Sequence, residues 1–184
     1  MAQLKERTEG QLWWRHLLSV LIAPVVMAVV IPLSIADSTG VQTPDLASPA
    51  RIGLAVVGGL SIVVGLGLFV WTVVLFDRTG RGTLGFGELL GEPVHLVVRG
   101  PYRHVRNPMI SGVFCILLGE AAITASTWLL LWSIVFFGVL TAFIRWGEEP
   151  HLKKRYGDAY VEYWRNVPRW VPRPSAWSPS SFRP

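Results

Sequence analysis

Apolar residues gather into four long runs instead of alternating or recurring every third or fourth position. Residues 17–35 form 19 positions without a charge, and residues 52–76 form 25. Residues 108–125 and 127–144 follow, the former interrupted only by Glu120. A bilayer core about 30 Å thick needs about 20 helical residues, so each run is predicted to cross a membrane as a helix. Allowing for interfacial residues at their ends, the spans are set at about 14–35, 52–76, 108–125 and 127–146. Only Ser126 and its neighbours separate the last two, which predicts a tight antiparallel helical hairpin.

The punctuation within the runs adds detail. Pro24 and Pro32 can kink the first span, with neighbouring groups satisfying the freed backbone. Gly58, Ser61, Gly65 and Gly67 give the second span small-residue faces for close helix contact. Asn107-Pro108 is N-cap and N1 chemistry for the third. Glu120, about 18 Å into that span, is costly in lipid. We read it as structural, bonding across the helices through Thr124, Ser126 or Thr127. Beyond the fourth span, 150–156 reads as a short helix ended by Gly157, and Asp158 starts another carrying Tyr160, Tyr163 and Trp164. Residues 1–173 are thus expected to form one domain, and 174–184 a disordered tail.

Composition agrees with this reading. Of the 184 residues 51% are hydrophobic and 16% charged, with a mean hydropathy of +0.43, too apolar for an ordinary soluble fold. The nine tryptophans suit membrane interfaces. A net charge of +5 raises the question of nucleic acid, but no binding motif for it appears and the basic residues flank the apolar runs. Sixteen of the seventeen Lys and Arg lie before span one, between spans two and three, or from Arg145 onward, leaving Arg51 alone on the other side. Both termini and the central loop are therefore expected to be cytoplasmic. The single cysteine, Cys115, rules out an intrachain disulfide or a cysteine metal site, and no metal site is expected. The first run lacks a small-residue cleavage site and reads as a retained span.

The hairpin brings distant polar residues to one level. Asn107 and Glu148 lie about 19 and 22 residues from the turn, roughly 30 Å along each helix. Arg103, Arg106 and Asn107 thus enter the hairpin where Arg145, Glu148 and Glu149 leave it. Singly, each fits a helix cap or an interfacial anchor. Together they form a basic and acidic cluster suited to a zwitterionic ligand held between arginines, a helix N-terminus and carboxylates.

Three segments carry a family resemblance: GPYRHVRNPMISG (100–112), LLGEAAITAS (117–126) and EEPHLKKRYGDAYVEYWRNVPRWVPR (148–173). With GRGTLGF and HLVVRG upstream, they resemble the integral membrane methyltransferases that include isoprenylcysteine carboxyl methyltransferases and phospholipid N-methyltransferases. The likeness runs from Gly80 to Arg173. It implies an all-α integral membrane fold of four transmembrane helices, with the cytoplasmic loop and short C-terminal helices forming a site for S-adenosylmethionine. An Arg-His-Pro-x-Tyr motif and a paired glutamate serve that cofactor in the family. Arg106 and Pro108 match the first, Glu148 and Glu149 the second, whereas Asn107 stands in place of the histidine and Ile110 in place of the tyrosine.

The resemblance implies Arg106, Pro108, Glu148 and Glu149 as cofactor-binding residues; with the chemistry of their neighbours the expected cofactor-binding set is Tyr102, Arg103, Arg106, Asn107, Pro108, Glu148, Glu149 and Tyr163, and the catalytic candidates are Arg106, Glu149 and His104. Chemically, either glutamate suits the ammonium of the cofactor, Arg106, Asn107 or the helix N-terminus suits its carboxylate, and Tyr102, Trp146 or Tyr163 can wall the adenine or sulfonium. His104 is the nearest base, needed only if the acceptor is an amine. The expected activity is methyl transfer to a lipophilic or small-molecule acceptor delivered from the membrane lipids: a prenylcysteine-like carboxylate, a phospholipid amine or a small thiol. The alternative is a noncatalytic four-span protein that keeps these motifs as caps and anchors.

Overall fold

A computed structural model describes residues 24–41, 48–79 and 96–179, and all the regular structure among them is helical. The stretch before residue 24 that the first predicted span includes lies outside the described residues, as does most of the central loop. Helix α1 spans Val26–Ser38, α2 Pro49–Thr79, α3 Pro108–Thr124, α4 Thr127–Phe143 and α5 Glu149–Asn166. Two continuous helical stretches, Pro49–Leu75 and Thr127–Asn166, are long and apolar enough to cross a membrane. Only 11% of the most apolar window in the first is buried by protein, so it is not the core helix of a soluble domain. The valines and leucines it exposes, among them Val56, Val57, Leu60, Val63 and Val64, need lipid around them.

Helices α2 and α3 approach through glycines. Gly58 faces Gly119 and Gly65 faces Gly112 so closely that a β-carbon on Gly65 would stand 2.5 Å from the Gly112 carbonyl oxygen. Between these contacts the Ser61 hydroxyl donates to the Cys115 carbonyl at 2.7 Å. The small-residue face expected on α2 is therefore real at Gly58, Ser61 and Gly65. Gly67 points into open space and takes no part.

Two π turns mark the prolines. Val26–Val30 is wound as a π turn, with the Ile31 N–H reaching back to the Val26 carbonyl. The next residue in that register is Pro32, whose missing N–H leaves the Met27 carbonyl without a helical donor. The Trp132 indole on α4 donates to that carbonyl at 3.1 Å, which ties α1 to α4. The pattern repeats at Ile144–Glu148, where the Glu149 N–H reaches the Ile144 carbonyl just ahead of Pro150. The helix that carries the fourth predicted span therefore continues past residue 146, through the π turn into α5. Within α5, Gly157 adopts φ 54° and ψ −133°, which kinks it into the two short helices read from the sequence.

Ala125 and Ser126 alone separate α3 from α4. Ala125 takes the left-handed conformation at φ 47°, and Ser126 caps α4 by accepting from the Leu129 N–H. Phe114 and Phe137, equally far from this turn, stack with centroids 4.5 Å apart. Glu120 is not satisfied as expected. Among the described residues its Oε2 is buried without a partner, and the Thr124 hydroxyl donates instead to the Glu120 backbone carbonyl.

Two apolar cores result. Ala28, Val113, Leu117 and Phe136 form one where α1, α3 and α4 meet. Tyr160, Tyr163, Val167 and Trp177 form the other around α5. The burial of Trp177 corrects the expectation of a tail from Pro174: the chain is held at least to Ser178, and only 180–184 of that stretch lie outside the described residues.

Candidate active site

The segment after α5 returns along the approach to α3. The Arg106 N–H donates to the Pro168 carbonyl at 2.9 Å, the Arg173 N–H to the His104 carbonyl at 3.0 Å and the Trp177 N–H to the Arg103 carbonyl at 3.0 Å. Arg103 completes this strap, donating through Nε to the Trp177 carbonyl at 2.7 Å and through Nη2 to the Ser178 hydroxyl. His104 Nδ1 lies 2.8 Å from the Arg173 carbonyl. A carbonyl only accepts, so Nδ1 carries the proton and Nε2 holds the lone pair.

The strap packs residues 106, 149 and 169 together. Glu149, only 5% exposed, accepts from Arg106 Nη1 at 2.7 Å and from Arg169 through Nε and Nη2, both at 2.9 Å. The Trp164 indole adds a fourth donor at 3.3 Å. Burial opposes the Glu149 charge, but the Arg169 hydrogen bonds and the two guanidinium charges outweigh it and hold its carboxyl below the ordinary 4.5. Arg106, its side chain 9% exposed, also lies 5.5 Å over the Trp164 ring and hydrogen-bonds the Tyr160 hydroxyl. Burial first and the neighbouring Glu149 charge second push the Tyr160 phenol up to about 12, so it remains a donor throughout the physiological range. Tyr163 donates its hydroxyl to the Tyr102 carbonyl at 2.8 Å, and burial raises both of these phenols as well.

The predicted residues thus divide. Arg106, Glu149, Tyr102 and Tyr163 are drawn into one buried neighbourhood, and half-buried Glu148 lies close enough for its charge to act on Tyr102 and Tyr160. Arg103 and His104 fasten the strap. Trp146, 75% exposed, stands outside the cluster. Asn107 occupies the N-cap position of α3, with Pro108 buried in its first turn, but the Asn107 side chain makes no cap hydrogen bond and its Nδ2 is buried without a partner. Arg106 Nε is in the same condition. Sequence reasoning missed Arg169 and named neither Tyr160 nor Trp164 as a site residue. Their only signal was the density of Tyr, Trp and Arg in YVEYWRNVPRW, which reads equally well as an interfacial anchor.

Among the described residues no group of three or more His, Cys, Asp or Glu is arranged to hold a metal ion. What the cluster offers is a helix start with uncapped N–H groups, two buried partnerless donors and a carboxylate neighbour. That is the donor set for an amino acid headgroup.

Among the described residues the chain is all helical, with two helices long and apolar enough to cross a membrane and a buried polar cluster beside them, and comparison with known proteins places it in a class of membrane methyltransferases. A family model described as phospholipid methyltransferase matches residues 54–159, and the chain belongs to that family. Its relatives include two proteins named phosphatidylethanolamine N-methyltransferase. The one from Pyricularia oryzae is 32% identical over 130 residues, covering 66% of this chain and 14% of the relative. The one from Arthroderma benhamiae is 33% identical over 114 residues, covering 57% and 11%. The chain therefore matches only a small part of the length of these relatives. No solved structure matches it.

Proposed function

We propose that this protein transfers a methyl group from S-adenosylmethionine to the amine of a membrane phospholipid. The observation that carries the reading is the pair of buried, partnerless donors Arg106 Nε and Asn107 Nδ2 at the start of α3, in a chain of the phospholipid methyltransferase family. With the N–H groups of the first turn that the Asn107 side chain leaves uncapped, they suit the carboxylate of the cofactor. Glu149 holds Arg106 and Arg169, and Glu148, whose charge reaches Tyr102 and Tyr160, is the carboxylate assigned to the ammonium. Tyr102 and Tyr163 supply aromatic walls. When bound, S-adenosylmethionine supplies a methyl group on a sulfonium, an electrophile that needs positioning and exclusion of water more than acid catalysis. Glu149 is a positioning residue that fixes the Arg106 guanidinium. Through Nε2, His104 can take the proton that an amine must lose before it acts as a nucleophile.

Of the three acceptors open to sequence reasoning, the family and its relatives favour the phospholipid amine, and nothing supports a prenylcysteine carboxylate or a thiol. The same reading makes the chain a four-span protein. In it α1, α2, α3 and α4 cross the bilayer, α3 and α4 form a tight antiparallel pair, and the polar cluster faces the cytoplasm. At 17 residues, or roughly 26 Å, α3 and α4 are at the short end of spanning length.

Calorimetric titration of S-adenosylmethionine into the purified full chain tests the cofactor, and a methyl-labelled transfer assay with total lipid extract tests the acceptor. Label is expected in an N-methylated phospholipid. Arg106→Ala is expected to weaken cofactor binding by about tenfold or more, the scale of a lost charge-assisted hydrogen bond. Undiminished binding in that variant removes the site assignment, and label confined to another lipid class removes the acceptor.

A further inference from the structure

Six buried side-chain nitrogen or oxygen atoms lack a hydrogen-bond partner among the described residues, and four of them are Arg106 Nε, Asn107 Nδ2, Thr141 Oγ1 and Trp170 Nε1. All four can donate, and all belong to the end of the helix bundle where the strap crosses. The first two are accounted for by the cofactor, whereas Thr141 and Trp170 are not. A buried polar group without a partner costs about 1–3 kcal/mol, so each calls for a ligand. Thr141 is the more telling because a helical hydroxyl has a local remedy. Ser34, Ser111, Thr124 and Ser133 all donate to the carbonyl four residues back, at 2.8 to 3.0 Å, and Thr141 does not.

The surroundings indicate what the ligand is. The Phe137 ring, one turn before Thr141 on the same face of α4, lies 4.8 Å from the Trp170 ring and 4.5 Å from Phe114. Both donors thus adjoin Phe137, Thr141 one turn further along α4 and Trp170 through its ring, and Phe114 of α3 continues the aromatic surface on the other side of Phe137. Beside Trp170, Arg169 brings a guanidinium shared with Glu149, which favours an anion there. This is the arrangement for an amphiphile with anionic oxygens and a hydrocarbon portion.

We propose that Thr141 Oγ1 and Trp170 Nε1 bind the phosphate oxygens of the acceptor phospholipid, whose glycerol and acyl portion lies along Trp170, Phe137 and Phe114. The proposal rests on the phospholipid reading above and adds the residues that recognise the acceptor. Trp170→Phe keeps the ring against Phe137 and deletes the donor, Thr141→Val keeps the shape and deletes the hydroxyl, and Thr141→Ser keeps the hydroxyl.

The experiment titrates the full chain in nonionic detergent with dihexanoylphosphatidylethanolamine, with phosphate-free dihexanoylglycerol and with inorganic phosphate, and separately with S-adenosylmethionine. Trp170→Phe and Thr141→Val are each expected to weaken phospholipid binding about tenfold, one buried hydrogen bond apiece, while Thr141→Ser stays within about twofold. Affinity for dihexanoylglycerol and for the cofactor is expected to be unchanged in all three. Unaltered phospholipid affinity in Trp170→Phe and Thr141→Val overturns the proposal, as does an equal loss for dihexanoylglycerol, which marks mere packing. Inorganic phosphate binding as tightly as the lipid, with the same sensitivity to the variants, overturns the lipid as the source. These outcomes leave the cofactor titration untouched, whereas failure of the methyltransferase reading appears as no cofactor binding in the wild-type chain.

Discussion

Glu149 holds the site together from one side chain. Three residues donate to it, and its removal leaves Arg106 buried without its counter-charge, a defect worth about 3–5 kcal/mol in comparable buried pairs. Glu149→Gln is therefore expected to lower the unfolding free energy by about 3 kcal/mol in chemical denaturation. The pH dependence follows from the direction of its shift. Because the carboxyl is held below its ordinary 4.5 in the folded chain, its contribution is complete above that value and is lost as pH falls through the lowered one. Wild-type stability is expected to decline below pH 4.5 more steeply than that of the glutamine variant, and parallel acid titrations of the two proteins check it. The sequence displayed the paired glutamates and Arg106, but it could not show that Glu149 is spent on two arginines. That commitment depends on Arg169, twenty residues away along a strap whose path no periodic pattern records.

At the level of elements, the contact between α2 and α3 decides how near the polar ends of the helices come to each other. Gly65 and Gly67 look equivalent in the sequence, two residues apart in GLGL. A methyl on Gly65 collides with the Gly112 backbone, which cannot rotate away as a side chain would, whereas on Gly67 it meets nothing. Gly65→Ala is expected to destabilise by about 1–3 kcal/mol. Gly67→Ala is expected to be neutral or to gain up to about 1 kcal/mol from reduced backbone entropy. Thermal unfolding of the two variants in the same detergent separates them. The π turns carry a similar lesson. Pro32 and Pro150 were visible as helix disturbances, but the local response, a shift to i→i−5 bonding with Trp132 supplying the missing donor at Met27, required a neighbour that only the packed structure identifies.

For the whole molecule, the distribution of Lys and Arg makes a claim about sidedness that labelling can check. With Cys115 replaced by Ser, Thr39→Cys and Ala176→Cys place single thiols at exposed positions on opposite sides of the proposed bilayer. A membrane-impermeant maleimide is expected to label Thr39→Cys on intact cells and Ala176→Cys only after permeabilisation. The reverse result inverts the orientation, and labelling of both on intact cells removes the odd number of spans, three, proposed between them.

The sequence by itself determined that the chain is helical and apolar, where α3 begins, and that a new helix starts at Ser126. These are local matters: a backbone in lipid must satisfy its hydrogen bonds within the segment, so run length, proline and capping residues reveal the elements directly. Only the tertiary structure decided which glycines meet, that Glu120 finds no partner, that the segment through Ser178 is a strap and not a tail, and which buried donors remain for a ligand. Each of those outcomes depends on atoms brought together from far apart in the chain, and hydropathy along one dimension carries no record of them.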